Sequence, residues 1–207
     1  MQKIMFNDRY GLTDAVIDYI KNNTRRIEGG EQFQRAATSA EDFTYEEATG
    51  CIVMCCQGIE IFRHKCRYKV GEVVAVAQSY EQAGIQSWAY LSRPEIDGYQ
   101  IISTHKGWRN KMYVSADLMP HQIRITGIKC EQLQSISHDD CFREGIIESW
   151  YESTDTTTYG FVDEKKGTAV EFDTPRKAFA ALIDKVSGRG TWDRNPWVVV
   201  YEFELVK

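Results

Sequence analysis

Apolar residues recur at helical spacing in two parts of the chain and alternate with polar ones in several others, and this contrast lays out the elements. After Thr13, a good N-cap with Leu12 placed to staple it, Val16, Ile17 and Ile20 share one helical face. That helix is expected to stop within Lys21 to Arg26, where asparagines tolerate the left-handed conformation and cations suit the carbonyl end of the dipole. Farther on, Thr174 precedes Pro175 at the first helical position, and Phe179, Leu182, Ile183 and Val186 follow at helical spacing up to Gly188. Ser137 to Asp140 has the form of a capping box, opening a short helix that Glu144 closes before Gly145.

Strands are expected at residues 51 to 62, 72 to 80, 98 to 103 and 112 to 116, stretches rich in β-branched or aromatic residues and bounded by glycine or charge. The alternation from His121 to Cys130, with Ile123, Ile125 and Ile128, marks the clearest half-buried strand. Residues 157 to 172 read as a hairpin turning at Gly167, and Trp197 to Val206 as a long strand with Glu202 and Glu204 on its polar face. Residues 28 to 49 are polar and lack a firm period, although 31 to 37 or 40 to 48 have room for a helical turn. They read as an insertion. Short strands outnumber helices and no regular βαβ alternation appears, which predicts a mixed α+β barrel with short flanking helices in a single domain over residues 1 to 207. The hairpin and helix at 157 to 188 are part of that domain.

Hydrophobic residues make up 43% of the chain and aromatics 12%, enough for one sizeable core. No apolar stretch approaches the length of a membrane span and no basic-then-apolar leader opens the chain, so a cytoplasmic protein with no membrane partner is expected. A net charge of -5 argues against a protein that coats nucleic acid through its overall field; a nucleic-acid site has to be a local basic patch. The six cysteines form no CxxC pair and several sit in apolar runs, as buried reduced thiols do. Cys55, Cys56, His64 and Cys66 are zinc-ligand types, but their spacing fits no common zinc knuckle; neither metal nor cofactor is expected.

Five segments, in order and spacing, resemble the ASCH family in its longer bacterial and phage form. Ala15 to Arg26 is similar to the family's opening helix, which ends in a Lys-x-x-Thr-x-Arg run; Tyr19-Ile20 stands where relatives often have Gly and a basic residue. Tyr68 to Val76 resembles its turn-plus-strand Tyr-x-x-Gly-Asp-x-Leu-x-Val. Trp108 to Pro120, Ile123 to Ile146 and Trp192 to Phe203 complete the likeness over most of the chain. One departure is Ala77-Gln78-Ser79-Tyr80, where longer relatives often carry Arg-Glu-Thr-aromatic. The resemblance implies a PUA-like β-barrel whose partner is RNA or a modified nucleoside.

Some small ASCH proteins remove the acetyl group from N4-acetylcytidine with a lysine, a threonine three residues later and a distant glutamate. By motif position these are Lys21, Thr24 and Glu144. The chemistry is coherent: a desolvated lysine beside other cations can be neutral enough to take a hydroxyl proton, and a carboxylic acid can protonate the leaving amine. Arg25 and Arg26 could hold a phosphate or carbonyl oxygen and depress the lysine further. The bland alternative has Lys21, Arg25 and Arg26 complementing a helix C-terminus, Thr24 capping the next turn and Glu144 solvated at a helix end. Trp108, Arg109 and Lys111, and likewise Trp192, Arg194 and Trp197, pair flat π-faces with cations in the way that suits bases and phosphates, although tryptophans also serve as core residues. The expected functions are an RNA- or modified-nucleoside-binding module, an amidohydrolase, or a non-catalytic interaction protein.

Overall fold

A computed structural model describes residues 1–93 and 98–206. In chain order the elements are β1 (Lys3–Ile4), α1 (Leu12–Ile17), β2 (Asn23–Arg26), α2 (Gly30–Ser39), β3 (Asp42–Glu46), β4 (Cys51–Cys56), β5 (Ile59–Lys65), β6 (Val73–Val76), β7 (Tyr90–Arg93), β8 (Gly98–Ile101), β9 (Gln122–Gln132), α3 (His138–Arg143), β10 (Ile147–Tyr151), β11 (Thr156–Asp163), β12 (Thr168–Phe172), α4 (Pro175–Ser187), α5 (Thr191–Arg194) and β13 (Trp197–Leu205). This is a mixed α+β fold of several small sheets and few helices, and no closed barrel forms among the described residues. No helix among them is long and apolar enough to cross a membrane. The chain divides into two compact units: Met1–Phe6, Val73–Ile123 and Leu205–Lys207 form the first, and Asn7–Glu72 with Arg124–Glu204 the second.

The second unit is organised around β13. Val198, Val199, Val200, Tyr201 and Phe203 are all buried, so this strand is covered on both faces and tolerates little polarity between its ends. β2 lies antiparallel beside it at the sheet edge, pairing Thr24 with Tyr201 and Arg25 with Val200. The buried Tyr201 hydroxyl donates to the Glu28 carboxylate at 2.9 Å and accepts from the Arg67 amide at 3.0 Å, so its polar tip is satisfied inside the core. β3, β4 and β5 form a separate three-stranded sheet, and β10, β11 and β12 another. α4 packs on β11 and β12 through Ala178, Phe179, Leu182 and Ile183, the apolar face seen at helical spacing. Thr174 caps it, its hydroxyl accepting from the Lys177 amide at 3.3 Å.

Gly160, central in β11, has an ordinary strand conformation, and its need is steric: a Cβ there would lie 2.2 Å from the Val170 carbonyl oxygen of β12. Gly160→Ala is expected to force the two strands apart at a cost of about 1–3 kcal/mol, read as a lowered urea midpoint. An unchanged midpoint would show that the sheet yields there.

The first unit pairs β1 parallel with β6 and β7 antiparallel with β8. Its core gathers Ala75, Ala77, Tyr80, Ile102, Val114 and Met119, with Met5 and Trp108 packed against them.

Several expectations need correction. α1 starts from Gly11 and ends at Ile17; Thr13 is inside it, bonding Asp8 at 2.5 Å, and Tyr19 in the left-handed region (φ 61°) breaks the helix before Ile20. Residues 23 to 26 are therefore strand, and the helix-dipole reading of the cations beside them falls. The polar stretch at 28 to 49 holds α2 and a true strand, β3, which pairs with β4 from Asp42↔Cys55 to Glu46↔Cys51. The single strand expected at 51 to 62 is a hairpin, because Gln57 and Gly58 both take positive φ (51° and 75°) and turn the chain back. Residues 112 to 116 form 3-10 turns at Lys111–Tyr113 and Ala116–Leu118. The Lys3 ammonium takes the carbonyls of Met112 and Val114, each at 2.8 Å, which a strand ladder would have used.

Candidate functional site

The tight turn after α1 sets up the site. The amides of Ile20 and Lys21 both donate to the Ala15 carbonyl, and the Asn22 amide donates to the Arg143 carbonyl at 3.0 Å, which ties the start of β2 to the end of α3. At that helix end Gly145 has φ +100°, and a Cβ on it would lie 3.2 Å from Leu12 and 3.8 Å from the Lys21 Cβ. Only a residue without a side chain lets the two segments approach this closely, and the approach delivers Glu144 to Lys21.

Lys21 and Glu144, 123 residues apart in sequence, are both buried, and the Lys21 Nζ donates to Glu144 Oε2 at 2.5 Å and to the Glu144 carbonyl at 3.0 Å. Arg25 reaches the same carboxylate: its guanidinium donates to Glu144 Oε1 at 3.1 Å, to Asp140 at 2.9 Å and to Glu131 at 2.7 Å. A planar fork of donors suits three converging carboxylates as a lysine could not. Lys129 and Arg143 sit at the rim, on Glu131 at 2.9 Å and Asp140 at 3.3 Å. Charges so deeply desolvated persist only when each has a partner.

These neighbours move the titrations. Burial is the main cause that lowers the Lys21 pKa, with Arg26 and Arg25 acting the same way and Glu144 against it. For Arg25, burial opposes the charge, but Glu144 and Glu131 more than offset it and raise the pKa. Burial likewise works to raise Asp140, yet Arg25, Lys129 and Arg143 hold its carboxyl below the usual carboxylate range. Cys66, Cys130 and Cys141 are pushed up to about 12, chiefly by burial, and remain neutral thiols.

The other predicted residues are placed differently. Side chains alternate along β2, so Thr24 and Arg26 face away from Asn23 and Arg25. Thr24 is buried, and its hydroxyl makes no hydrogen bond to Lys21 or Glu144. Arg26 is half-buried and close enough to Tyr68 to act on its phenol. Trp108, Arg109 and Lys111 belong to the first unit. Trp108 packs on that unit's core, Lys111 donates to the Phe6 carbonyl at 2.5 Å, and only Arg109 stands well exposed, 3.7 Å from Glu81. Trp108 and Lys111 are both half-buried, each with a contact inside that unit. His64 lies against Phe33 and 3.4 Å from Glu28, and no cluster of three metal-ligating side chains gathers among the described residues.

Asp140, Glu131 and Asn23 were not singled out from sequence. Asp140 was visible as the acid of a capping box, and its amide does donate to the Ser137 hydroxyl at 3.0 Å, but its carboxylate turns to Arg25. Asn23 is 1% exposed; its Nδ2 donates to Asp140 at 3.3 Å while its Oδ1 has no hydrogen-bond partner among the described residues. A buried acceptor left unanswered beside an ion cluster is costly and marks a place where a ligand's N–H would be welcome.

Fold and site together define a mixed α+β protein with a buried acid–cation cluster assembled where an edge strand meets a helix end. Neither a family model, nor a curated protein, nor a solved structure matches the chain.

Proposed function

We propose that the chain is an RNA- or modified-nucleoside-binding module of PUA-like, ASCH type, which reads a nucleobase beside β2. The observation that carries this is the buried Lys21–Arg25–Glu144 cluster with the unanswered Asn23 Oδ1 next to it. The paired cations hold the cluster in place, and Asn23 beside them supplies an acceptor for an exocyclic amine such as a cytosine edge presents. The edge position of β2 adds backbone groups without a sheet partner on one side. Net acidity fits recognition of a base more than wholesale backbone binding.

A second reading, an amidohydrolase acting on N4-acetylcytidine, is favoured by the Lys21–Glu144 contact. Burial lowers the Lys21 pKa, so its amine would serve as the base, and Glu144 in contact with it would relay a proton to the departing amine. Thr24 would add to the acyl carbon, Lys21 would take its hydroxyl proton, and water would later release acetate. Along β2 Thr24 faces away from Arg25.

Incubating the protein with N4-acetylcytidine, and separately titrating single-stranded RNA at rising salt, tests both. Binding that weakens with salt and no loss of the acyl group is expected. Acyl loss abolished by Lys21→Ala and Thr24→Ala would replace the module with the enzyme, and absence of binding and turnover would overturn both.

A further inference from the structure

The second unit also holds a cleft of about 310 Å³ lined by His138, Thr174, Arg176, Lys177, Ala180 and Trp192. Its volume is at the lower end of the range for small-ligand pockets, about 300 Å³ and upward. Its chemistry is cationic and aromatic. Arg176 is half-buried, fixed by donating to the Gln134 carbonyl at 2.8 Å and to the Ile136 carbonyl, and its guanidinium lies over the Trp192 ring, 5.4 Å from the centroid. Among the described residues it pairs with no carboxylate, so a half-buried positive charge faces the cleft with only carbonyl dipoles and a π-face against it. Lys177, on the same wall, is held by Asp173 at 2.7 Å, an exposed contact that costs little to exchange. His138 adds ring nitrogens and Thr174 a hydroxyl, while Trp192, braced edge-on by Phe179, supplies a rigid flat wall.

We propose that this cleft binds a phosphomonoester attached to a nucleoside, with the phosphate on Arg176, Lys177, His138 and Thr174 and the base against Trp192. The fixed guanidinium gives a preorganised partner for phosphate oxygens, and the indole accepts any base through its π-face. Asp173 releases Lys177 as the phosphate arrives. This site is built from residues outside the Lys21–Glu144 cluster and does not depend on how that cluster is used.

The test is calorimetric titration of the full chain with adenosine 5′-monophosphate and with adenosine. The monophosphate is expected to bind and adenosine to bind at least about tenfold more weakly, the worth of one charge-assisted contact. Lys177→Glu and His138→Ala, both on exposed positions, should each weaken the monophosphate by about tenfold while leaving the melting temperature unchanged. An oligoribonucleotide with a 5′-phosphate, compared with its 5′-hydroxyl form, separates the sources: a phosphate-dependent gain over the mononucleotide means an RNA end, equal affinity a free nucleotide. Equal binding of adenosine and its monophosphate, monophosphate binding untouched by both substitutions, or no binding at millimolar concentration would overturn the assignment.

Discussion

Glu144→Ala is expected to destabilise the protein by about 3–5 kcal/mol, because it leaves the buried Lys21 and Arg25 without the carboxylate they share. The loss comes less from the Coulomb attraction removed than from two desolvated cations left facing each other, although Asp140 and Glu131 still pair with Arg25 and the backbone carbonyl of residue 144 with Lys21. Combining Glu144→Ala with Lys21→Met should recover much of the loss, since one uncompensated charge goes and its volume is kept. Urea unfolding of the two variants checks this. A cost below about 1 kcal/mol for the single change would mean that water reaches the cluster and screens it.

Arg25→Met should cost a similar amount at neutral pH, about 3–5 kcal/mol, for the opposite reason: Glu131, Asp140 and Glu144 lose the guanidinium that separates them. Its sign with pH distinguishes it. In the native protein Asp140 holds its proton more weakly than the ordinary 3.8, so its stabilisation is complete above that value and is lost as pH falls through the lower folded one. Without Arg25 the clustered carboxylates gain affinity for protons, so the folded variant binds more protons than its unfolded chain and is stabilised by acid. Unfolding curves between about pH 7 and pH 4.5 should stay nearly level for the native protein and shift to higher urea for Arg25→Met as the pH is lowered. Parallel behaviour would show that the carboxylates do not interact through Arg25.

The long periodic elements were legible because their signals are local. Phe179, Leu182 and Ile183 place α4, and the run from Trp197 to Leu205 places β13. Ser137 accepting from the Asp140 amide marks the start of α3 as its capping box implied. Boundaries failed where one residue's backbone decided them: Tyr19 at positive φ ends α1, and Gln57 with Gly58 turns one expected strand into two. β3 was hidden in a polar stretch because it is stabilised by pairing with β4 more than by its own composition. At residues 112 to 116 the tertiary contact of Lys3 overrode a strand-like composition.

For the candidate site, motif position linked Lys21 to Glu144, and the structure brings that pair together across 123 residues. Arg25 is the hub of three carboxylates, which no local pattern reveals, because Glu131 and Asp140 come from β9 and α3. Strand alternation, which separates Thr24 from Arg25, became apparent only once residues 23 to 26 proved to be β2 and not the tail of a helix. Asn23 was legible only as a residue able to end a helix; its meaning arises from being 1% exposed with one acceptor unanswered.

Nitrogen-15 NMR of the Asn23 side-chain amide and the Arg25 Nε–H during titration with cytidine and N4-acetylcytidine tests the buried cluster as the place where a base is read. Both signals should move with saturable binding in the native protein, and the Arg25 signal should move less in Asn23→Leu, which removes the acceptor. Saturable binding that leaves both signals still would put the ligand elsewhere and contradict the account.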